Sequence, residues 1–274
     1  MKRNIIVMIV IGLFMFVGLF KALQFLSEGS TIDLQALSTA NHLYETGHYQ
    51  EAEKIYEQLL SQGMADSSIY YNLGNTNFKQ GDLGRAILNY QRASQLDPRD
   101  ADIKANLALA RSQSVNATSI ESTGPVQSLA NLTSAWLSLY ENAFLSLSVW
   151  FLFTFLILAY RQFQPGKLRT VIQYGTMLTV FLALAAGFAF GSRLYIEQTQ
   201  PGGVIVAPVV TISSSPGDEY ATEYSLFSGT EVNLLETRGN WVHLAGPDGA
   251  LQGWIPLNTV ETIVNVSHLE VPQF

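Results

Sequence analysis

Cysteine is absent from this 274-residue chain, so no disulfide and no lipid-modified cysteine holds any part of it, and each soluble module is expected to rest on its own packing. Charge is also scarce. Asp, Glu, Lys and Arg make up 14% of the residues against 48% hydrophobic ones, the mixture of a membrane protein with soluble parts. The four histidines, His42, His48, His243 and His268, are scattered, and His42 and His48 lie at a spacing that cannot share a helix face. No H-E-x-x-H, G-x-S-x-G or glycine-rich phosphate loop occurs. With no catalytic constellation in view, the chain is expected to be no enzyme and to need no metal or cofactor.

What the chain does have is hydrophobic length. Ile5 to Phe20 follows Lys2 and Arg3, the layout of an export signal or amino-terminal membrane anchor over residues 1–26. Two later runs, residues 142–160 and 171–191, have about the 20 residues needed to cross a hydrocarbon core at roughly 1.5 Å per residue. Neither interior carries a charge, which argues against an ion or proton pathway. The connector, residues 161–170, contains Arg161, Lys167 and Arg169 and no acid. Lys and Arg near span ends stay on the cytoplasmic side, so the amino terminus and the connector are expected inside and both soluble modules outside the cytoplasmic membrane. In the second span Ala183, Gly187 and Gly191 form a small-residue stripe, expected to pack against the partner span in preference to a second copy.

The net charge of −7 is unevenly placed: residues 204–274 hold eight acids and one base, whereas residues 31–111 hold ten acids and seven bases. An acidic outer module argues against nucleic acid and against docking on anionic lipid, and reads as a solvated surface.

Residues 31–113 show a 34-residue self-similarity. Ala40 recurs as Gly74, Gly47 as Gly81, Tyr49 as Leu83, Ala52 as Ala86 and Tyr56 as Tyr90. Gly47 and Gly81 suit the left-handed conformation that ends a helix. Ala52 and Ala86 are small where paired helices approach, and Tyr56 and Tyr90 fill the space between pairs. Asp97-Pro98 closes the second unit, because proline cannot continue a helix. The pattern G-D-L-G-R-A-I-L-N-Y followed by D-P resembles the tetratricopeptide repeat, with Ser67 to Pro98 as one unit and Ala36 to Gln62 as the other. Asp100 to Arg111 reads as a capping helix, and Leu34, Leu37 and Leu43 are expected to cover the opposite end.

Asparagines recur at the same period: Asn41 matches Asn75 and Asn72 matches Asn106, all on the first helix of a unit. An amide offers donor and acceptor together, so these four either clamp the backbone of an extended peptide or hydrogen-bond neighbouring helices. In tetratricopeptide repeats that grip a C-terminal carboxylate, two asparagines sit where Asn41 and Asn72 fall. The basic positions of that clamp are Leu37, Asp102 and Asn106 here, so a carboxylate ligand does not carry over.

Residues 114–141 change to Ser, Thr and Asn with one Gly-Pro, and read as a linker ending in an interfacial approach with Trp136 and Tyr140. Beyond the spans, residues 203–266 alternate in short apolar segments broken by turn signals, as in a small all-β barrel. Strands are expected at Gly203 to Val206, Val209 to Ser213, Glu231 to Glu236, Trp241 to Ala245, Gly253 to Pro256 and Val260 to Val264. The landmarks Ser214-Ser215-Pro216, Ser228-Gly229-Thr230, Gly239-Asn240-Trp241-Val242 and Gly253-Trp254-Ile255 resemble the bacterial SH3 family. That resemblance implies core or rim roles for Trp241 and Trp254, or a ligand groove formed by Trp241, Trp254 and Tyr220. Where the family's motif has arginine this chain has Ser213, so contacts made through that arginine are not implied.

The fold class is thus a multidomain membrane protein: an α-helical tetratricopeptide pair, a two-helix transmembrane hairpin and a C-terminal SH3-like barrel. In this order the modules resemble the E-type protein of the aerotolerance (Bat) operon family. The resemblance implies a bacterial envelope scaffold beside von Willebrand A domain proteins and a MoxR-type ATPase, with protein partners met through the repeats. The alternative is a cell-wall sensor whose SH3-like module binds peptidoglycan.

Overall fold

The computed structural model describes residues 33–114, 130, 132–199, 201–246 and 251–263. The expected export signal or membrane anchor at residues 1–26 and most of the expected linker lie outside the described residues. The hairpin within Leu137–Ser192 is one compact unit, and the helical repeats and the β-module together form the other.

Five helices build the repeats: α1 (Leu34–Glu45), α2 (Tyr49–Ser61), α3 (Ser67–Gln80), α4 (Leu83–Leu96) and α5 (Ala101–Gln113). Four of the five begin at an aspartate. The carboxylates of Asp33, Asp66, Asp82 and Asp100 accept from backbone N–H groups of the first turn, which otherwise have no partner in a helix. Gly47 and Gly81 close α1 and α3 at φ 83° and 80°, left-handed values that glycine adopts without steric cost. Ala40, Ala52, Tyr56, Leu59 and Ile69 form the core of the first repeat. Gly74 is required by closeness, since a Cβ there would stand 2.8 Å from the Tyr90 ring. Leu37 and Leu43 pack on the first core, but Leu34 is 74% exposed and covers nothing, correcting the expected three-leucine end cover. Leu34 is the first residue of α1, directly after its Asp33 cap, whereas Leu37, three residues on, reaches the core.

The β-module has seven strands: β1 (Gly202–Ile205), β2 (Val209–Ser213), β3 (Ala221–Phe227), β4 (Glu231–Arg238), β5 (Trp241–Ala245), β6 (Gln252–Pro256) and β7 (Val260–Thr262). All pairings are antiparallel, in the order β3-β2-β6-β5-β4-β1-β7. One apolar core draws on Leu226 of β3 and Val260 of β7, the two ends of that order, so the sheet curls around it. Strand β3 was not expected from the sequence, β4 runs two residues longer than expected, and β7 stops at Thr262.

In the hairpin, α6 (Leu139–Gln162) and α7 (Lys167–Thr199) are long and apolar enough to cross a membrane. Very little of either apolar stretch is buried in the protein, unlike the core helix of a soluble domain. Both exceed the hydrophobic runs seen in sequence. Ser138 and Glu141 make a reciprocal capping box that starts α6 inside the expected linker, and the connector shrinks to residues 163–166. At about 1.5 Å per residue, the 33 residues of α7 span about 50 Å, well beyond a hydrocarbon core of about 30 Å. The helices meet through Ser146, whose hydroxyl donates to the Ala186 carbonyl at 3.2 Å, and the Arg169 guanidinium stacks on Tyr160 at 4.5 Å. Ala183 is half-buried, but a Cβ at Gly187 or Gly191 would meet nothing within 4 Å, so these two glycines do not serve the contact with α6.

Candidate protein-binding surface

The first helices of the repeats, α1 and α3, and the capping helix α5 lie side by side and carry the four asparagines. Asn41 Oδ1 accepts from the Tyr56 hydroxyl at 2.7 Å and from Asn72 Nδ2 at 3.1 Å. One repeat later, Asn75 Oδ1 accepts from the Tyr90 hydroxyl at 2.7 Å and from Asn106 Nδ2 at 3.0 Å. The same unit, Asn-Tyr-Asn, is thus built twice at the 34-residue period. Asn106 Nδ2 also donates to the Tyr71 hydroxyl at 2.9 Å, which fills both of its hydrogens.

This ladder decides what the amides still offer. Each of Asn41 and Asn75 has a fully used oxygen and an unengaged Nδ2 among the described residues, while Asn72 and Asn106 keep an unengaged oxygen. All four are half-buried, so these atoms stand at the surface. The result is a repeating donor and acceptor pair, the complement of a peptide backbone. The tyrosines, expected only to fill space, are the residues that orient it. Burial pushes the phenols of Tyr56 and Tyr90 well above their ordinary value, so both stay protonated as donors at any physiological pH. Tyr90→Phe is expected to cost about 0.5–1.5 kcal/mol in chemical denaturation, the range of one hydrogen bond, since Asn106 still satisfies Asn75.

The β-module's expected groove residues are only partly assembled. Trp254 is 7% exposed; the His243 ring stacks on it at 5.0 Å, nearly parallel, and the Arg238 guanidinium lies 5.1 Å from its ring centre. Its indole is a packed element of the sheet face, and Arg238 is held over it by a two-pronged bond to Glu236. Trp241 is half-buried and Tyr220 is 48% exposed, with no ring contact between Tyr220 and either tryptophan among the described residues.

The two soluble modules, each expected to rest on its own packing, share a seam. Arg111 clamps Glu231 with both Nε and Nη2, the latter at 3.0 Å, and Glu231 is only 2% exposed. Arg92 Nη2 donates to the Thr262 carbonyl at 2.7 Å, and Arg85 Nε to Glu261 at 3.1 Å. Ser228 accepts from the Gly84 N–H at 3.0 Å, so a β-module hydroxyl satisfies an open donor at the start of α4. Beneath these bonds Ile87, Leu107 and Ala110 share one core with Val204 and Ile263. The acidic balance of the β-module is therefore partly neutralised by arginines of the repeats.

Charge on this seam is tuned by its neighbours. Burial lowers the Arg92 guanidinium, opposed by Tyr70 and Glu261. Burial would also lower Arg85, but its bond to Glu261 and the charges of Glu261, Asp82 and Glu53 raise it on balance. Burial, then the charges of Glu53 and Glu261, push the Glu57 carboxyl up against the pull of Arg85. A carboxyl raised in the folded state favours folding fully below its unfolded value near 4.5 and progressively less as pH climbs through the raised one. Glu57→Gln is accordingly expected to raise the melting temperature at pH 7 and to leave it unchanged at pH 4. The gain is small, because Glu57 is exposed and solvent screens it.

A tetratricopeptide repeat family model matches residues 74–114, which span part of α3 and all of α4 and α5. No curated protein matches the chain. Tetratricopeptide repeats generally mediate protein–protein interaction, and the matched segment carries Asn75, Tyr90 and Asn106, the second unit of the ladder.

Proposed function

We propose that the protein is a non-enzymatic, membrane-anchored adaptor that holds an extended protein segment along the asparagine face of its repeats. The observation that carries this reading is the ladder: Asn41 and Asn75 present donors, and Asn72 and Asn106 acceptors, at the repeat period. Amides recognise backbone with little regard to side-chain charge, and none of the four is a base that would select a carboxylate. The hairpin anchors the adaptor in the bacterial cytoplasmic membrane, with the soluble unit on the extracytoplasmic side, in keeping with the basic connector. Resemblance to the E-type aerotolerance protein points to an envelope complex with von Willebrand A domain proteins and a MoxR-type ATPase.

The test is mild crosslinking in native membranes with partners identified by mass spectrometry, comparing wild type with Asn72→Ala/Asn106→Ala. These substitutions leave the Tyr56–Asn41 and Tyr90–Asn75 bonds in place, so the fold is retained. Loss of one abundant partner, expected to be roughly tenfold or more if two backbone bonds are forfeited, supports the groove. An identical partner set would sink the assignment.

A further inference from the structure

A pair of repeats leaves one apolar face without a neighbour, because each unit buries that face only against the next. Here Ile87 of α4 and Ala110 of α5, both fully buried, meet Val204 and Ile263 of the β-module instead of a third repeat. Two glycines show how tightly they meet. A Cβ on Gly84 would stand 2.6 Å from the Ile205 carbonyl oxygen and 2.6 Å from Ser228 Oγ. One on Gly229, itself at φ 88°, would stand 2.8 Å from the Ile87 side chain. Around this contact three arginines from the repeats, Arg85, Arg92 and Arg111, each end on an acceptor of the β-module.

A hydrogen-bonded chain also leads back from the seam to the first repeat. Arg92 reaches Asn89 Oδ1 at 3.5 Å, Asn89 Nδ2 donates to Asn77 Oδ1 at 2.9 Å, and Asn77 Nδ2 donates to Glu53 of α2 at 2.8 Å. Asn77 and Asn89 are both buried, so breaking any link strands a polar group without water.

We infer that the β-module is the terminal cap of the repeat array, so that the asparagine face and the β-module form and are lost as one cooperative unit. Whatever binds either one then stabilises the other, by the reciprocity that links any two sites on a shared folding equilibrium. The cap shares its face with the proposed adaptor function but does not depend on a partner: the face could bind nothing and still melt with the cap.

Hydrogen exchange of the full chain in detergent micelles, read by mass spectrometry in mild denaturant, tests it. The amides to compare are those of α1, at the far end of the repeats, and of β2 and β6, away from the seam. In wild type the slowest of these are expected to exchange at a common rate, and Glu231→Gln to speed both groups together by roughly tenfold or more. Acceleration confined to β1, the Phe227–Thr230 turn and the end of α5, with α1 or β6 at wild-type rates, would overturn the inference. Should Glu231→Gln not fold, Ser228→Ala removes only the hydroxyl that accepts from Gly84. It is expected to speed both groups equally by about twofold to tenfold, the range of one such bond, and unequal acceleration would again overturn it.

Discussion

Arg111→Met is expected to destabilise the soluble unit by about 3–5 kcal/mol in denaturant titration, the largest effect of any single substitution at the seam. The cost comes from what is left behind. Glu231 is 2% exposed, and without the guanidinium its carboxylate has neither water nor a cation. The pair as a whole contributes far less, since removing two charges from water offsets most of their attraction. Arg111→Met/Glu231→Met is therefore expected to recover most of the loss, and a cycle through the four chains isolates the coupling. If the double variant were as unstable as the single one, the loss would come from apolar packing at this corner and not from the stranded charge.

Gly84→Ala is expected to destabilise by about 1–3 kcal/mol, a sign opposite to the usual one. Alanine is favoured over glycine in a helix by about 1 kcal/mol, and on a free repeat pair the substitution would stabilise α4. With the β-module docked, the new methyl group meets the Ile205 carbonyl oxygen, a backbone atom that cannot swing away as a side chain could. Thermal unfolding of the full chain reads the sign directly. A stabilised Gly84→Ala variant would show that the close approach does not persist in solution.

Much of the helical half was legible in sequence, because a repeat writes each structural demand twice. Gly47 with Gly81 and Ala52 with Ala86 fixed the turns and close packings, and the four aspartates at the helix starts are a signal present in the chain itself. The asparagine face was visible for the same reason, although only the structure shows that Tyr56 and Tyr90 orient it. Strand β3 was missed because it lies at the sheet edge. Leu226 is buried, Tyr224 is 70% exposed, and β3 carries extra residues between Ala221 and Ser225 where its register against Thr211 and Ser213 of β2 shifts, which breaks the alternation. Hydropathy marks shorter spans than the helices because it ends with the apolar residues, whereas α7 continues to Thr199, close to Pro201, which cannot extend a helix. The seam was hidden for a deeper reason: Arg111 and Glu231 are 120 residues apart, with no periodicity to connect them. Its one local trace is Gly84, a glycine in the first turn of α4 where no turn requires it.

The Asn-Tyr-Asn unit also sets rules for how such a chain can grow or shrink. Each unit begins on one repeat and finishes on the next, so Asn41 is completed by α3 and Asn75 by α5. Inserting a whole 34-residue copy between α4 and α5 would lengthen the recognition face by one rung and leave both ends intact, provided the last copy kept its glycine and arginines for the β-module. Inserting half a repeat would break the register at every rung beyond it. On the proposed reading, the length of segment held along this face is quantised in repeats, and the β-module marks where the count stops.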